Sequence, residues 1–356
     1  MQVAIELMER GLLPDCLVRM GIQRQCKERL KLEAARIGGV DSVTAMRLFA
    51  ANGLADGPVA PEAVAEARRV LDTPAAFDTH VLGPRRKRSC CFWPAGARTL
   101  EEAEQAALQQ ICERAGLVDG QRVLDIASGC GALSLWIAEK FPRSSVTAVA
   151  DSAAQRTFIQ TKAKERGVRN LRVVVTRING LEPSVQFDRV MALEVFERVS
   201  NYEELLRRMS RWLLPDGRAF VQMVCHRTFA YKFETQGHSN WIGRHFFANG
   251  VMPSERLLEC FCDDLEVEQR WRWNGEHYAR TALVWLQNLD DNKDRIYRQF
   301  GAVYGARHAS RWLQRWRIFY VACAEMFRTN QGEEWFVSQM LLRHSTLQHP
   351  LLRNST

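Results

Sequence analysis

Residues 121–155 constrain this chain more than any other stretch. Residues 122–126 are apolar at Val123, Leu124 and Ile126 and read as a short buried strand. The strand runs into a turn of small residues, Ala127-Ser128-Gly129-Cys130-Gly131. A helical pattern follows through Leu133, Leu135, Trp136, Ile137 and Ala138, and Pro142 lies just beyond it, where a helix cannot easily continue. Residues 146–150 form a second strand that ends on Asp151. The product is a β-α-β unit with a glycine turn at the first strand tip and an acid at the second, the hallmark of an α/β fold built on a parallel sheet.

Such a unit suits a nucleoside ligand. Glycines let the backbone approach it closely, and the helix N-terminus offers free N–H groups. An acid at the second strand tip accepts both ribose hydroxyl protons. The turn is not G-x-G-x-x-G and no lysine follows it, so a cofactor without phosphates is favoured over a pyrophosphate. The run D-x-x-x-G-x-G followed by an acid resembles motif I of the class I S-adenosylmethionine (SAM) methyltransferases. That resemblance implies Asp125 facing the methionine end, Gly129 and Gly131 in the turn and Asp151 on the ribose. A tight β-α turn in some other α/β domain is the plainer alternative.

The rest of the chain extends the pattern. Residues 1–70 look helical, with Val3, Leu7, Leu12, Leu17, Met20, Ile22 and Leu30 at helical spacing, a Gly-Ala-Pro bend at 53–61 and a further helix at 62–71. Thr99-Leu100-Glu101-Glu102 is a capping box opening a helix to Arg114. Beyond Asp151 come a helix at 153–166, strands at 171–176 and 187–193, a helix at 202–214 ended by Pro215-Asp216-Gly217, and a fifth strand at 218–225. Five strands alternating with helices make a doubly wound sheet. The aromatic-rich stretch 226–262 is too long for a simple loop, and helices are expected over 279–327.

Charge and cysteine content narrow the classes of function. The net charge of +8 is mild for 356 residues and mostly interleaved with acids. The one basic cluster, residues 85–88, reads as a solvated loop rather than a phosphate-binding stripe. A nucleic-acid methyltransferase would rest on that cluster alone and would bind with steep salt dependence. The ten cysteines lack metal-ligand spacing, so no metal site is expected, and scattered thiols suit the reducing cytoplasm. No window approaches a membrane-spanning run, and the first residues have no signal-peptide pattern.

Seven blocks in order are similar to the coclaurine N-methyltransferase family, plant alkaloid enzymes related to cyclopropane fatty acid synthases. They are RSCCFWPAGARTLEEAEQAALQQICERAGL, VLDIASGCGALSLWIAEKFP, ALEVFERVSNYEELLRRMSRWLLPDG, VCHRTFAYKFE, WIGRHFFANGVMPS, WNGEHYARTALVWL and FYVACAEMFRTNQGEEW. The resemblance implies a Rossmann-like seven-stranded methyltransferase sheet, closed by antiparallel strands near 265–271 and 335–342. It also implies SAM as the cofactor, a small-molecule amine as the partner and an N-terminal helical region with helical and aromatic lid insertions. The expected division is 1–76 for that helical region, 77–225 for the SAM-binding core, 226–262 for the aromatic lid, and 263–356 for the end of the sheet with the substrate-side helices. A homodimer is left open.

The family methylates an amine. A protonated amine has no free lone pair, so a site must attract the cation and also take its proton. Carboxylates serve the first need and a base near neutral pH the second. The family's catalytic stretch is E-x-F-E-H. Here it is Glu194-Val195-Phe196-Glu197-Arg198, with two glutamates spaced to share one helical face and an arginine, which cannot accept a proton, in the histidine position. Two other departures add arginines. Arg88 replaces the family tyrosine before Ser89, and Arg177 replaces the acid expected beside Ile178 to contact adenine. Ala127 and Ser128 also stand where the family has Gly and Cys. Gln155 matches a cofactor-side residue. The resemblance therefore implies Ser89, Asp125, Gly129, Gly131, Asp151, Gln155, Arg177 and Ile178 on the cofactor and Glu194, Glu197 and Arg198 in the catalytic stretch.

Arg198 leaves three readings open: an active enzyme in which Glu197 or water takes the proton, an acceptor whose own carboxylate or phosphate pairs with Arg198, and a weakened homologue. A local Arg198–Glu194 pair is the plainest account of that arginine. Phe247, Trp316 and Phe319 match family positions around the flat alkaloid. His226, His245 and His277 read as structural, with His245 the candidate substitute base. Transfer to lipid carbon, as in the cyclopropane synthases, and a non-catalytic binding protein are the rival functions.

Overall fold

The computed structural model describes residues 2–54, 56–60, 75–237 and 240–346, so the helix expected at 62–71 lies outside the described residues. Its centre is a seven-stranded sheet. The strands are β1 (Arg122–Asp125), β2 (Ser145–Ala150), β3 (Leu171–Val175), β4 (Phe187–Leu193), β5 (Leu213–His226), β8 (Leu265–Trp273) and β9 (Trp335–His344). Their order is β3-β2-β1-β4-β5-β9-β8. β1 to β5 pair in parallel, and β9 lies antiparallel between β5 and β8. This is the sheet expected from the sequence.

The order reverses between β1 and β4. In an open parallel sheet, that reversal leaves a crevice outside the strand C-termini, because the flanking connections leave in opposite directions. The glycine turn and Glu194 sit at those two tips. The Thr99–Glu102 capping box opens α5 (Leu100–Arg114), with both reciprocal hydrogen bonds formed. α6 (Ala132–Lys140) follows the glycine turn, and α7 (Ala153–Glu165) is capped by the Ser152 hydroxyl.

One boundary differs from the sequence reading. β5 begins at Leu213, not at residue 218, and helix α8 (Tyr202–Trp212) ends earlier than expected. Leu213 already pairs with Phe187, and the register then jumps to Arg189–Arg218. The Pro215-Asp216-Gly217 turn signal is thus an irregularity inside the strand. Gly217 is needed there, because a Cβ would lie 2.9 Å from the carbonyl oxygens of Leu214 and Phe187.

The stretch after β5 forms a cap. It holds the two-stranded pair β6 (Tyr231–Lys232) and β7 (Val251–Met252) and the short helix α9 (Trp241–His245). Helices α10 (Gly275–Asp291), α11 (Lys293–Tyr304) and α12 (Ala306–Arg328) separate β8 from β9. The N-terminal helices α1 (Gln2–Glu9) and α2 (Asp15–Ile37) bind this cap. Glu9 accepts from Trp241 Nε1 at 2.8 Å and from Arg315 at 3.0 Å, and Glu325 accepts from Arg19 and Gln23 of α2. Arg36 pairs with Glu234 at 2.6 Å. Among the described residues, no helix is long and apolar enough to cross a membrane.

Candidate active site at the β1 and β4 tips

The glycine turn has the shape of a cradle. Gly129 and Gly131 have φ of 52° and 79°, in the left-handed region that side chains avoid. A Cβ on Gly131 would also meet Ile159 at 2.8 Å, whereas one on Gly129 would meet open space. Ser128, one of the departures from the family turn, keeps it anchored: its hydroxyl donates to the Val149 carbonyl of β2 at 2.7 Å. Asp125 is buried and accepts from Ser134 Oγ at 2.6 Å, and burial pushes its carboxyl up to about 6. Asp151 stands exposed at the β2 tip, where the side-chain oxygen of Gln155 accepts from its backbone N–H at 2.8 Å. Ile178 is half-buried and Arg177 exposed beyond the β3 tip. Asp125, Gly129, Gly131, Asp151, Arg177 and Ile178 therefore lie at the C-terminal tips of the neighbouring strands β1, β2 and β3.

At the β4 tip the two glutamates converge, but not along a helix. Glu194 has φ of 53°, and a 3-10 turn covers only Phe196–Arg198. A left-handed glutamate costs roughly 1–3 kcal/mol and persists only where its surroundings over-determine it. Here they do. Gln222 of β5 holds it twice, its carbonyl accepting from Glu194 N at 2.6 Å and its Nε2 donating to Oε1 at 3.1 Å. Cys90 N donates to the same oxygen at 2.9 Å, and Tyr278 OH donates to Oε2 at 3.0 Å. Burial raises this carboxyl, and the nearby charge of Lys87 is the largest force bringing it back.

Glu197 is treated differently. It is 4% exposed, Oε1 accepts from Val224 N, and Oε2 is buried with no hydrogen-bond partner among the described residues. Burial, with Glu194 alongside, pushes its carboxyl up to about 8. Two carboxylates three residues apart thus have opposite surroundings.

The basic cluster is only partly solvated: Lys87 is buried, Arg85 and Arg86 are half-buried, and Arg88 is exposed. Arg85 pairs with Glu139 at 2.9 Å and Arg86 donates to the Asp78 carbonyl at 2.6 Å. Lys87 is 2% exposed and donates to Ser89 Oγ at 2.6 Å and to the Cys90 carbonyl. Arg88 donates through Nε to Asp78 Oδ2 at 2.8 Å, and the Cys130 thiol of the glycine turn reaches that same oxygen at 3.1 Å. Glu139 and Asp78 thus supply carboxylates to Arg85 and Arg88, and the buried Glu104 accepts from the backbone N–H groups of Arg85 and Lys87.

Arg198 makes no ion pair with Glu194 among the described residues. Its guanidinium lies 4.7 Å from the Phe247 ring centroid. Phe247 in turn lies 5.2 Å from Phe233 and 6.2 Å from Phe319, and Trp316 lies 5.7 Å from Phe319. Phe247 and Phe319 are half-buried, while Trp316 is a buried member of the aromatic cluster with Phe77, Phe246 and Tyr320. His245 does not replace the base. It packs against Trp241, 3.5 Å from Glu9, and burial lowers it to about 4. His226 Nδ1 accepts from Thr228 N and Phe229 N, and His277 Nδ1 accepts from Trp93 N.

Sequence reasoning missed Lys87, Gln222, Tyr278 and the Cys90 amide. Gln222 had a visible signal, a lone amide inside the apolar strand AFVQMVC, and Tyr278 lay beside His277 in a family block.

Comparison with known proteins accords with this geometry. Residues 61–336 match the family described as Mycolic acid cyclopropane synthetase. The chain is 34% identical over 95% of its length to (S)-coclaurine N-methyltransferase of Thalictrum flavum subsp. glaucum, covering 94% of that protein. It belongs to the coclaurine N-methyltransferase family. The crystal structure of a coclaurine N-methyltransferase bound to N-methylheliamine and S-adenosylhomocysteine (SAH) superposes with a TM-score of 0.89 at 32% identity, covering 96% of this chain and 98% of that one. Cyclopropane-fatty-acyl-phospholipid synthase of Escherichia coli (strain K12) is more distant, 28% identical over 73% of this chain and 63% of its own. Family membership accounts for the whole α/β fold and for the cradle.

Proposed function

We propose that this protein transfers a methyl group from SAM to the nitrogen of a small aromatic amine. The observation that carries the reading is the unlike pair of carboxylates at the β4 tip, one half-buried and saturated with donors, the other buried with a bare oxygen. The cofactor supplies a sulfonium-bound methyl and leaves as the thioether SAH. Asp151 with Gln155 would hold the ribose, the glycine turn would admit the nucleoside, and Ser89, Asp125, Arg177 and Ile178 complete that side.

In this reading Glu194 anchors the amine cation in its ionised form, which Lys87 and three hydrogen-bond donors favour against the opposing effect of burial. Glu197 takes the proton on Oε2, which frees the nitrogen lone pair to attack. Arg198 cannot accept a proton. Its charge instead favours the ionised form of Glu197. The rings of Phe247, Phe319 and Trp316 suit a flat acceptor better than an acyl chain, which weighs against lipid carbon as the target. The relatives' names point to benzylisoquinoline-type amines. A second acceptor class, amines bearing a carboxylate, is favoured by Arg198, whose guanidinium lies over the Phe247 ring. A cytoplasmic location is part of the proposal and rests on ten unpaired thiols.

The test is calorimetric titration with SAM and SAH, then methyl transfer to a panel of flat amines with and without a carboxylate. Micromolar binding and transfer to one of these amines are expected. Absence of binding at millimolar ligand sinks the assignment. Arg88 supplies a sharper readout. Held by Asp78 beside the glycine turn, it would meet the methionine carboxylate. Arg88→Ala should weaken SAH about tenfold, the scale of one charge-assisted hydrogen bond, and leave 5′-methylthioadenosine, which lacks that carboxylate, unchanged.

A further inference from the structure

A line of buried polar groups crosses the sheet to Glu194. Arg114, at the last turn of α5, donates to Gln339 Oε1 in the middle of β9. Gln339 Nε2 donates to Gln222 Oε1 at 2.7 Å, and Gln222 Nε2 donates to Glu194 Oε1 at 3.1 Å. Gln222 and Gln339 are 0% exposed and sit directly opposite each other in the β5–β9 pairing. Two amides in the centre of apolar strands are costly unless each finds its partners.

The direction of this chain is not free. Arginine has donors only. Its N–H therefore forces an acceptor at Gln339 Oε1, which turns the Gln339 amide nitrogen toward Gln222, which turns the Gln222 nitrogen toward Glu194. Any reversal would set oxygen against oxygen at one junction, or leave Arg114 without an acceptor. We propose that Arg114, Gln339 and Gln222 form a positioning relay that presents a donor to Glu194 Oε1 and so keeps that oxygen unprotonated, as an anchor for the acceptor's ammonium group. The inference rests on the amine-methyltransferase reading for its purpose, but not for its chemistry.

Glu194 is also faced by Lys87 and Cys90 from the segment before α5, by Glu197 from its own turn, by Tyr278 from α10 and by Cys323 from α12. None of these fixes the amide direction. Arg114 stays charged at neutral pH, since burial lowers it only to about 10, and the rings of Trp271 and Trp273 flank it at 5.4 and 5.9 Å.

The experiment is an infrared titration of the full-length protein, with the Glu194 carboxyl band identified by its loss in Glu194→Gln. In Arg114→Met both amides are free to reverse, so Glu194 should protonate about one pH unit higher than in wild type, the scale of a hydrogen bond to a charged group. Arg114→Lys, which keeps a donor, should restore most of the shift. Gln339→Met, which interrupts the relay while keeping the Arg114 charge, should reproduce it. In turnover, KM for the amine should rise about tenfold in Arg114→Met with kcat and SAH affinity little changed. Identical titration of Glu194 in wild type, Arg114→Met and Gln339→Met overturns the relay. So does a fall in melting temperature and SAH affinity with no shift, which marks a purely structural role. Wild type that transfers no methyl to any amine would defeat the functional reading and leave the infrared result to decide the relay.

Discussion

Glu197→Gln should lower kcat about a thousandfold, within the range general-base groups contribute, while SAH binds as in wild type. The amide fits the site. Its oxygen accepts from Val224 N as Glu197 Oε1 does, and its nitrogen occupies the place of the bare Oε2. What is lost is the ability to take a proton. In wild type, kcat should climb with pH through a midpoint near 8, because the base works only when ionised and burial, with Glu194 alongside, holds it protonated below that value. Arg198 pulls the other way, so removing its charge should move the midpoint up. Stopped-flow or steady-state profiles between pH 6 and 10 read both effects. A Glu197→Gln enzyme with the wild-type profile would show that the proton leaves by another route.

Glu194→Gln is expected to act on binding rather than on the proton. The glutamine keeps every hydrogen bond: its oxygen accepts from Cys90 N and Gln222 Nε2, and its nitrogen donates to the Tyr278 oxygen, which reverses its role. The melting temperature should therefore hold. The negative charge is gone, and an ammonium group buried without its counter-ion loses about 3 kcal/mol or more. KM for the amine should rise by about two orders of magnitude, since each 1.4 kcal/mol is tenfold. Competition by a permanently charged quaternary analogue tests this directly. Equal affinity of that analogue for wild type and Glu194→Gln would remove Glu194 as the anchor.

The two glutamates show how sequence and structure divide the information. Their presence, spacing and place after the fourth strand are legible in EVFER. Their difference is not. A shared helical face is the natural inference from a three-residue spacing, and the backbone instead turns left-handed at Glu194 because Gln222 grips it from β5. Arg88 makes the same point. In sequence it is one of four basic residues in a row, and in the fold Asp78 ties it to the glycine turn.

Local periodicity and steric rules were enough for the β-α-β unit, the Gly129–Gly131 cradle, the Thr99 capping box and the aromatic content of the cap, since each depends on residues a few positions apart. Bounds that depend on pairing, such as the early start of β5 through Pro215-Asp216-Gly217, were not legible, because strand register is decided by the neighbouring strand. The chemistry of the site depends still more on distance along the chain. The donors that saturate Glu194 come from residues 90, 222 and 278, and the relay behind it from residues 339 and 114. Only the assembled fold brings those groups within hydrogen-bond reach. Only the tertiary surroundings make two like glutamates unlike, one saturated with donors and its neighbour buried with a bare oxygen.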